Sequence, residues 1–174
     1  MSLLTIINPN NPILRKKSKN VMSFDDQLQD MIDDMIETML DASGVGLAAP
    51  QVGYGFRFFV AYVDEEPEEV DDNIRDIAPG IGRMHVMINP RITKMSQETV
   101  IKTEGCLSIP GYLGDVARSS NIVVKYLDRF GQKRKLQTFG WMARVIQHEY
   151  DHLDGVLFID KAEKIWMADD NAES

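Results

Sequence analysis

The sequence predicts an α+β fold, with antiparallel strands packed around a C-terminal metal-binding helix and an N-terminal amphipathic helix against them. Apolar residues recur at helical spacing near the N-terminus, the middle of the chain alternates between turn-forming residues, and a second helical stretch near the C-terminus is closed by glycine. Strands grouped between two helices argue against alternating βαβ units. With 174 residues, 44% of them apolar and 26% charged, the chain is expected to form one domain over residues 1–174.

The first segment, MSLLTIINPNNPILRKK, is interrupted by Asn and Pro, carries its positive charge after the apolar stretch and lacks a small-residue cleavage site, so it does not read as a signal peptide. No apolar run approaches the roughly 18 to 20 residues that span a bilayer. A cytoplasmic, bacterial protein with no membrane partner is the expectation. The net charge of −8 argues against broad attraction to nucleic acid, and no DNA partner is expected. Cys106 is the only cysteine, which excludes an intrachain disulfide.

The first helix is marked by Phe24, Leu28, Met31, Ile32, Met35, Ile36, Met39 and Leu40, with Ser23 as its expected N-cap. This methionine-rich stripe reads as core. Strands are expected at residues 56–63, 84–89, 99–103, 122–127 and 133–139, the last two joined by the turn Asp128-Arg129-Phe130-Gly131. Residues 64–76 hold eight acids and one arginine, and with Pro67 inside and APGIG after they read as a solvated loop, an acidic surface insertion over 64–83. The second helix is expected over residues 141–153, with Gly155 as its C′ residue, and residues 161–174 read as a tail.

That second helix contains His148-Glu149-Tyr150-Asp151-His152. Histidines four apart share a helix face and can clamp one metal ion, while the intervening glutamate can move a proton to or from a bound water. A third protein ligand is expected for a catalytic site of this kind. Asp154, Asp160 and Glu163 are downstream candidates, and Cys106, presented in Glu104-Gly105-Cys106-Leu107-Ser108-Ile109-Pro110, is the upstream one. Gly105 permits close backbone approach and Pro110 is expected to end regular pairing. His85 reads as an ordinary strand residue.

Three segments in order, Gly44-Val45-Gly46-Leu47-Ala48-Ala49-Pro50-Gln51, Glu104-Gly105-Cys106-Leu107-Ser108 and Gln147-His148-Glu149-Tyr150-Asp151-His152, resemble the motifs of the peptide deformylases, and the similarity extends over residues 3–159. The resemblance implies removal of the N-formyl group from formylmethionyl nascent chains. It implies Cys106, His148 and His152 as metal ligands, Fe²⁺ as the ion with Ni²⁺, Co²⁺ or Zn²⁺ as substitutes, and Glu149 as the general base and acid toward a metal-bound water. Gln51 and the backbone N–H of Leu107 are implied as donors to the developing oxyanion. Backbone groups of Val45, Gly46 and Gly105 are implied to pair with the extended substrate. Helical spacing adds Trp141 and Val145, two turns and one turn before His148, as walls of a slot for the methionine side chain.

Glu104 is expected to pair with Arg118 and hold the cysteine loop. Ribosomes are the implied meeting place with nascent chains, and the two tight basic clusters, Arg15-Lys16-Lys17 and Lys133-Arg134-Lys135, are the candidates for contact with their RNA, although the latter reads first as the solvated face of a hairpin. Two readings from other classes compete. A fully ligated ion could staple helix to loop in a binding module without catalysis, or Cys106 could act as a metal-free nucleophile. Loss of turnover with retained metal in Glu149→Ala separates the first from a metalloenzyme, and resistance to chelators would mark the second.

Overall fold

The chain forms helix α1 (Asp26–Asp41), strands β1 (Gly46–Ala48), β2 (Phe58–Tyr62), β3 (Met84–Met95), β4 (Thr99–Cys106), β5 (Ile109–Ser119), β6 (Asn121–Leu127) and β7 (Lys133–Phe139), helix α2 (Gly140–Leu153), the single-turn α3 (Phe158–Lys161) and β8 (Lys164–Met167). This is a computed structural model, which describes residues 2–64 and 77–168. The α+β class holds. One antiparallel sheet has the order β1-β2-β3-β6-β7 and a second has β4-β5-β8.

Strand β2 explains why the first sheet lies between the two long helices. Its side chains alternate across the sheet, so Phe58 and Val60 join Leu28, Ile32, Met35 and Met39 of α1 in one core cluster, while Phe59 and Ala61 join Met142, Ala143, Val145 and Ile146 of α2 in another. Both faces are covered, and the strand accordingly reads as a continuous apolar run. Each fully buried apolar side chain contributes about 1.5–3 kcal/mol, so Met142, Ala143, Val145 and Ile146 fasten α2 to one face of this sheet. A third cluster, Ile109, Val116, Leu157 and Phe158, lies between β5 and the segment around α3.

Several boundaries differ from expectation. The N-cap of α1 is Asp25, whose Oδ1 accepts from the N–H of Leu28 at 3.0 Å, and the hydroxyl of Ser23 donates to the Asp25 carboxylate instead. Strand β3 runs on from the expected 84–89 to Met95 by way of two bulges, and β4 runs on to Cys106. Strand β5 was not anticipated, because Pro110, Gly111 and Gly114 disguise it; Pro110 sits at its second position and pairing is not ended there. Within residues 161–174, expected as a tail, Lys164–Met167 is a strand paired with β5.

Residues 65–76 of the acidic segment lie outside the described residues. The described stretch 77–83 lies mostly at the surface, with Ile77, Pro79, Gly82 and Arg83 exposed, but it is tied to the body of the fold. Ala78 is buried, the Gly82 N–H donates to the Val63 carbonyl, and the Pro79 carbonyl accepts from Thr138. His85 is the strand residue expected, with Nε2 2.8 Å from the Gly80 carbonyl oxygen.

Candidate metal centre

Helix α2 places His148 and His152 on one face, with ring centroids 5.1 Å apart. The helix stops where expected: Gly155 has φ +74°, and a Cβ there would lie 2.5 Å from the Arg15 carbonyl oxygen. Only glycine fits. Strand β4 delivers Cys106, whose Sγ lies 3.3 Å from His152 Nε2, and one ligand atom from each of Cys106, His148 and His152 falls within 4.8 Å of the others. The structure thus joins the upstream cysteine, not Asp154, Asp160 or Glu163, to the histidine pair.

Glu104 organises the surroundings. Its carboxylate accepts the Arg118 fork at 2.9 Å from both Nε and Nη2, the expected pair, and also accepts from Arg144 Nη1 at 2.6 Å and from His148 Nδ1 at 2.8 Å. Burial opposes the charge on Glu104, but Arg118 and His148 outweigh it and hold the carboxyl well below the usual carboxylate range. With Nδ1 donating to Glu104, Nε2 of His148 is the nitrogen left to ligate once it gives up its proton. Phe158 stacks on the same imidazole.

The cluster favours a cation. Burial alone would lower His148, yet the Cys106 and Glu104 hydrogen bonds and the Glu149 charge push it up to about 10. Burial, with the neighbouring charges of His148 and Arg118, holds His152 well below its ordinary value, so it stays neutral and able to ligate. One sulfur with two imidazoles suits a divalent transition-metal ion rather than Mg²⁺ or Ca²⁺. The residues fit such an ion.

Glu149 lies beside this cluster. Burial raises its carboxyl to about 7, with His148 acting in the opposite direction, and its Oε2 is buried without a hydrogen-bond partner among the described residues. Its position depends on Gly46. A Cβ on Gly46 would lie 2.5 Å from Oε1 and 2.8 Å from Cδ and Cγ of Glu149. The Gln51 amide nitrogen donates to Ser108 Oγ at 3.1 Å and toward Cys106 Sγ at 3.5 Å, while its oxygen accepts from the Ala48 N–H.

A cleft of about 210 Å³ opens over the site, and Val45, Gly46, Gly105, Leu107, Trp141 and Val145 all line it; Gln51 and His152 are buried next to Cys106 instead. Sequence reasoning missed Ser108, Arg144 and Phe158. For Arg144, the signal was its position one turn before His148.

The family model described as polypeptide deformylase matches residues 3–166. The chain belongs to the polypeptide deformylase family. It is 41% identical over 173 residues to the peptide deformylase of Symbiobacterium thermophilum, covering 99% of this chain and 73% of that one. It is 45% identical over 157 residues to that of Thermus thermophilus, covering 88% and 79%. The crystal structure of the Thermotoga maritima deformylase aligns with a TM-score of 0.83 at 40% identity, over 94% of this chain and 100% of the other. The Ehrlichia chaffeensis deformylase in complex with actinonin aligns at 0.84 and 40% identity, over 94% and 91%. Family and fold make this deformylase-family chain an enzyme, a hydrolase. No helix among its described residues is long and apolar enough to cross a membrane.

Proposed function

We propose that the enzyme removes the formyl group from formylmethionyl nascent polypeptides, yielding formate and a free N-terminal Met. Cys106, His148 and His152 would hold a single divalent ion, Fe²⁺ in the cell, with Ni²⁺, Co²⁺ or Zn²⁺ as substitutes. Such an ion supplies Lewis-acid activation of water and of the formyl carbonyl. The remaining steps belong to the chain. Glu149 takes the proton of the attacking water and returns it to the amine nitrogen as the carbon–nitrogen bond breaks. Its raised carboxyl, close to neutral pH, suits both directions of transfer.

Gln51 and the Leu107 N–H donate to the oxygen that becomes negative as water adds, a contribution of about 2.7–4 kcal/mol for each such donor. Gln51 donates toward Cys106 and Ser108, so in this role its amide turns part of its donation to substrate. Backbone groups of Val45, Gly46 and Gly105 hold the peptide as an added strand along the cleft. Trp141 and Val145 line the slot for the methionine side chain. Substrates are met at the ribosome by transient contact in the cytoplasm.

The observation that carries this reading is the buried Glu149 oxygen, without a partner among the described residues, beside the three converging ligand atoms, an arrangement a merely structural metal site does not need. The test is formate release from formyl-Met-Ala-Ser by protein prepared without oxygen, with metal assayed on the same sample before and after chelation. Turnover should track bound metal and vanish on its removal. A fully loaded protein that releases no formate refutes the reading.

A further inference from the structure

Arg144 has no part in the chemistry above, yet its side chain is buried at the edge of the cleft and both terminal guanidinium nitrogens are engaged. Nη1 donates to Glu104 Oε2 at 2.6 Å and to the Val116 carbonyl at 2.8 Å, and Nη2 donates to the Val100 carbonyl at 2.6 Å. The side chain is 5% exposed and the carboxylate it meets is 4% exposed. A charge so withdrawn from water is tolerated only when paired and hydrogen-bonded, as here.

A carboxylate offers about four acceptor positions, and all those of Glu104 are used. Oε1 takes Arg118 Nη2 and His148 Nδ1, while Oε2 takes Arg118 Nε and Arg144 Nη1. Arg144 and His148 lie four apart on α2 and grip different oxygens of one carboxylate from the same helix face. The carboxylate plane therefore cannot swing relative to α2 without breaking one of the two bonds, and the His148 ring that shares it is held in the same way. Arg144 also spans elements. Val100 and Glu104 belong to β4, which ends at Cys106, and Val116 belongs to β5, whereas Arg144 shares α2 with His148 and His152.

We infer that Arg144 is a positioning residue of the metal centre, setting through Glu104 and the β4–β5 strands how the Cys106 sulfur meets the imidazoles of α2. Arg118 makes a parallel connection further along the helix through Asp151. The inference rests on the metal-site reading above. Loss of the Arg144 guanidinium would free an acceptor position on Glu104 Oε2 and take a donor from two strand carbonyls, loosening both connections together.

A double-mutant cycle read on Co²⁺ binding tests this, using chelator competition for affinity and the cobalt–thiolate absorption for geometry, with folding followed by circular dichroism. Arg144→Leu should weaken Co²⁺ binding about 10–100-fold, the range for residues that support metal ligands, and shift the absorption. In a Glu104→Gln background the same replacement should cost much less, because its main partner is already altered. Arg144→Lys keeps a cation for Oε2 and should recover part of the loss; should the leucine variant fail to fold, the lysine variant replaces it in the cycle under the same criteria. Unchanged affinity and spectrum in the folded Arg144 variant, or equal losses in both backgrounds, would overturn the inference. Failure of the parent protein to bind Co²⁺ would instead overturn the metal-site reading itself.

Discussion

Replacing Gly46 by alanine should switch off the enzyme while leaving its fold and metal site in place. The added Cβ would lie 2.5 Å from Glu149 Oε1 and 2.8 Å from its Cγ and Cδ, whereas carbon contacts settle at about 3.5–4.0 Å, so the carboxylate end must retreat by about 1 Å. The atoms in the way are the end of a flexible side chain. Gly46 does not have positive φ, and its pairing with Ala61 across β1 and β2 does not involve Cβ. Unfolding free energy should therefore stay within about 1 kcal/mol of the parent, a typical change for a substitution without a core or backbone penalty. Catalysis should not tolerate it. A 1 Å misplacement of a reacting group costs on the order of 100-fold, and complete loss of a general base costs about 100- to 10,000-fold.

The assay is steady-state formate release with metal measured in parallel, for Gly46→Ala, Glu149→Ala and the double variant. The expected pattern is a kcat fall of about 100-fold or more in Gly46→Ala with metal retained, and little further loss on combining it with Glu149→Ala, since both act on one carboxylate. A metal-loaded Gly46→Ala enzyme with near-parental kcat would refute the argument. So would a change confined to KM, which would point to a substrate clash instead.

Glu149→Ala alone should keep its metal and lose about 100- to 10,000-fold in kcat, measured by formate release beside metal analysis; retention of turnover would remove Glu149 from the chemistry. In the metal-free protein His148 is raised to about 10, so below that pH it holds a proton that ligation must expel. Metal affinity should fall as pH drops, and calorimetric titration in buffers of different ionisation enthalpy should show proton release; buffer-independent heats would contradict this. Gly155→Ala meets both a left-handed φ of +74° and the Arg15 carbonyl at 2.5 Å, so urea unfolding should show a loss of at least about 1–3 kcal/mol. Met35→Ala empties a fully buried position between α1 and the sheet and should cost about 2–5 kcal/mol in the same assay.

Elements with a clean period were legible. The α1 stripe, the β6–β7 hairpin and the histidine-bearing helix stand close to where spacing puts them, because side-chain periodicity is a local property of the chain. Strand β5 was not legible, since its proline and glycines signal turns and its pairing with β4 and β8 is long-range. The cap at Asp25 was missed because Ser23 offers an equally good oxygen two residues earlier; only where the backbone enters the helix decides between them.

The site divides along the same line. The sequence by itself determined that two imidazoles share a helix face with a glutamate next to the first, since 3.6 residues per turn brings residues four apart onto one face whatever surrounds them. Spacing left the third ligand open among Cys106 and three downstream acids, the deformylase motifs implied the cysteine, and the tertiary structure is what brings its sulfur to the imidazoles. That approach, the burial that raises Glu149, and the Arg118 and Arg144 grip on Glu104 all require β4 and β5 to lie against α2. The distance between segments remote in the chain is the summed result of all the packing between them, and no local period encodes that sum.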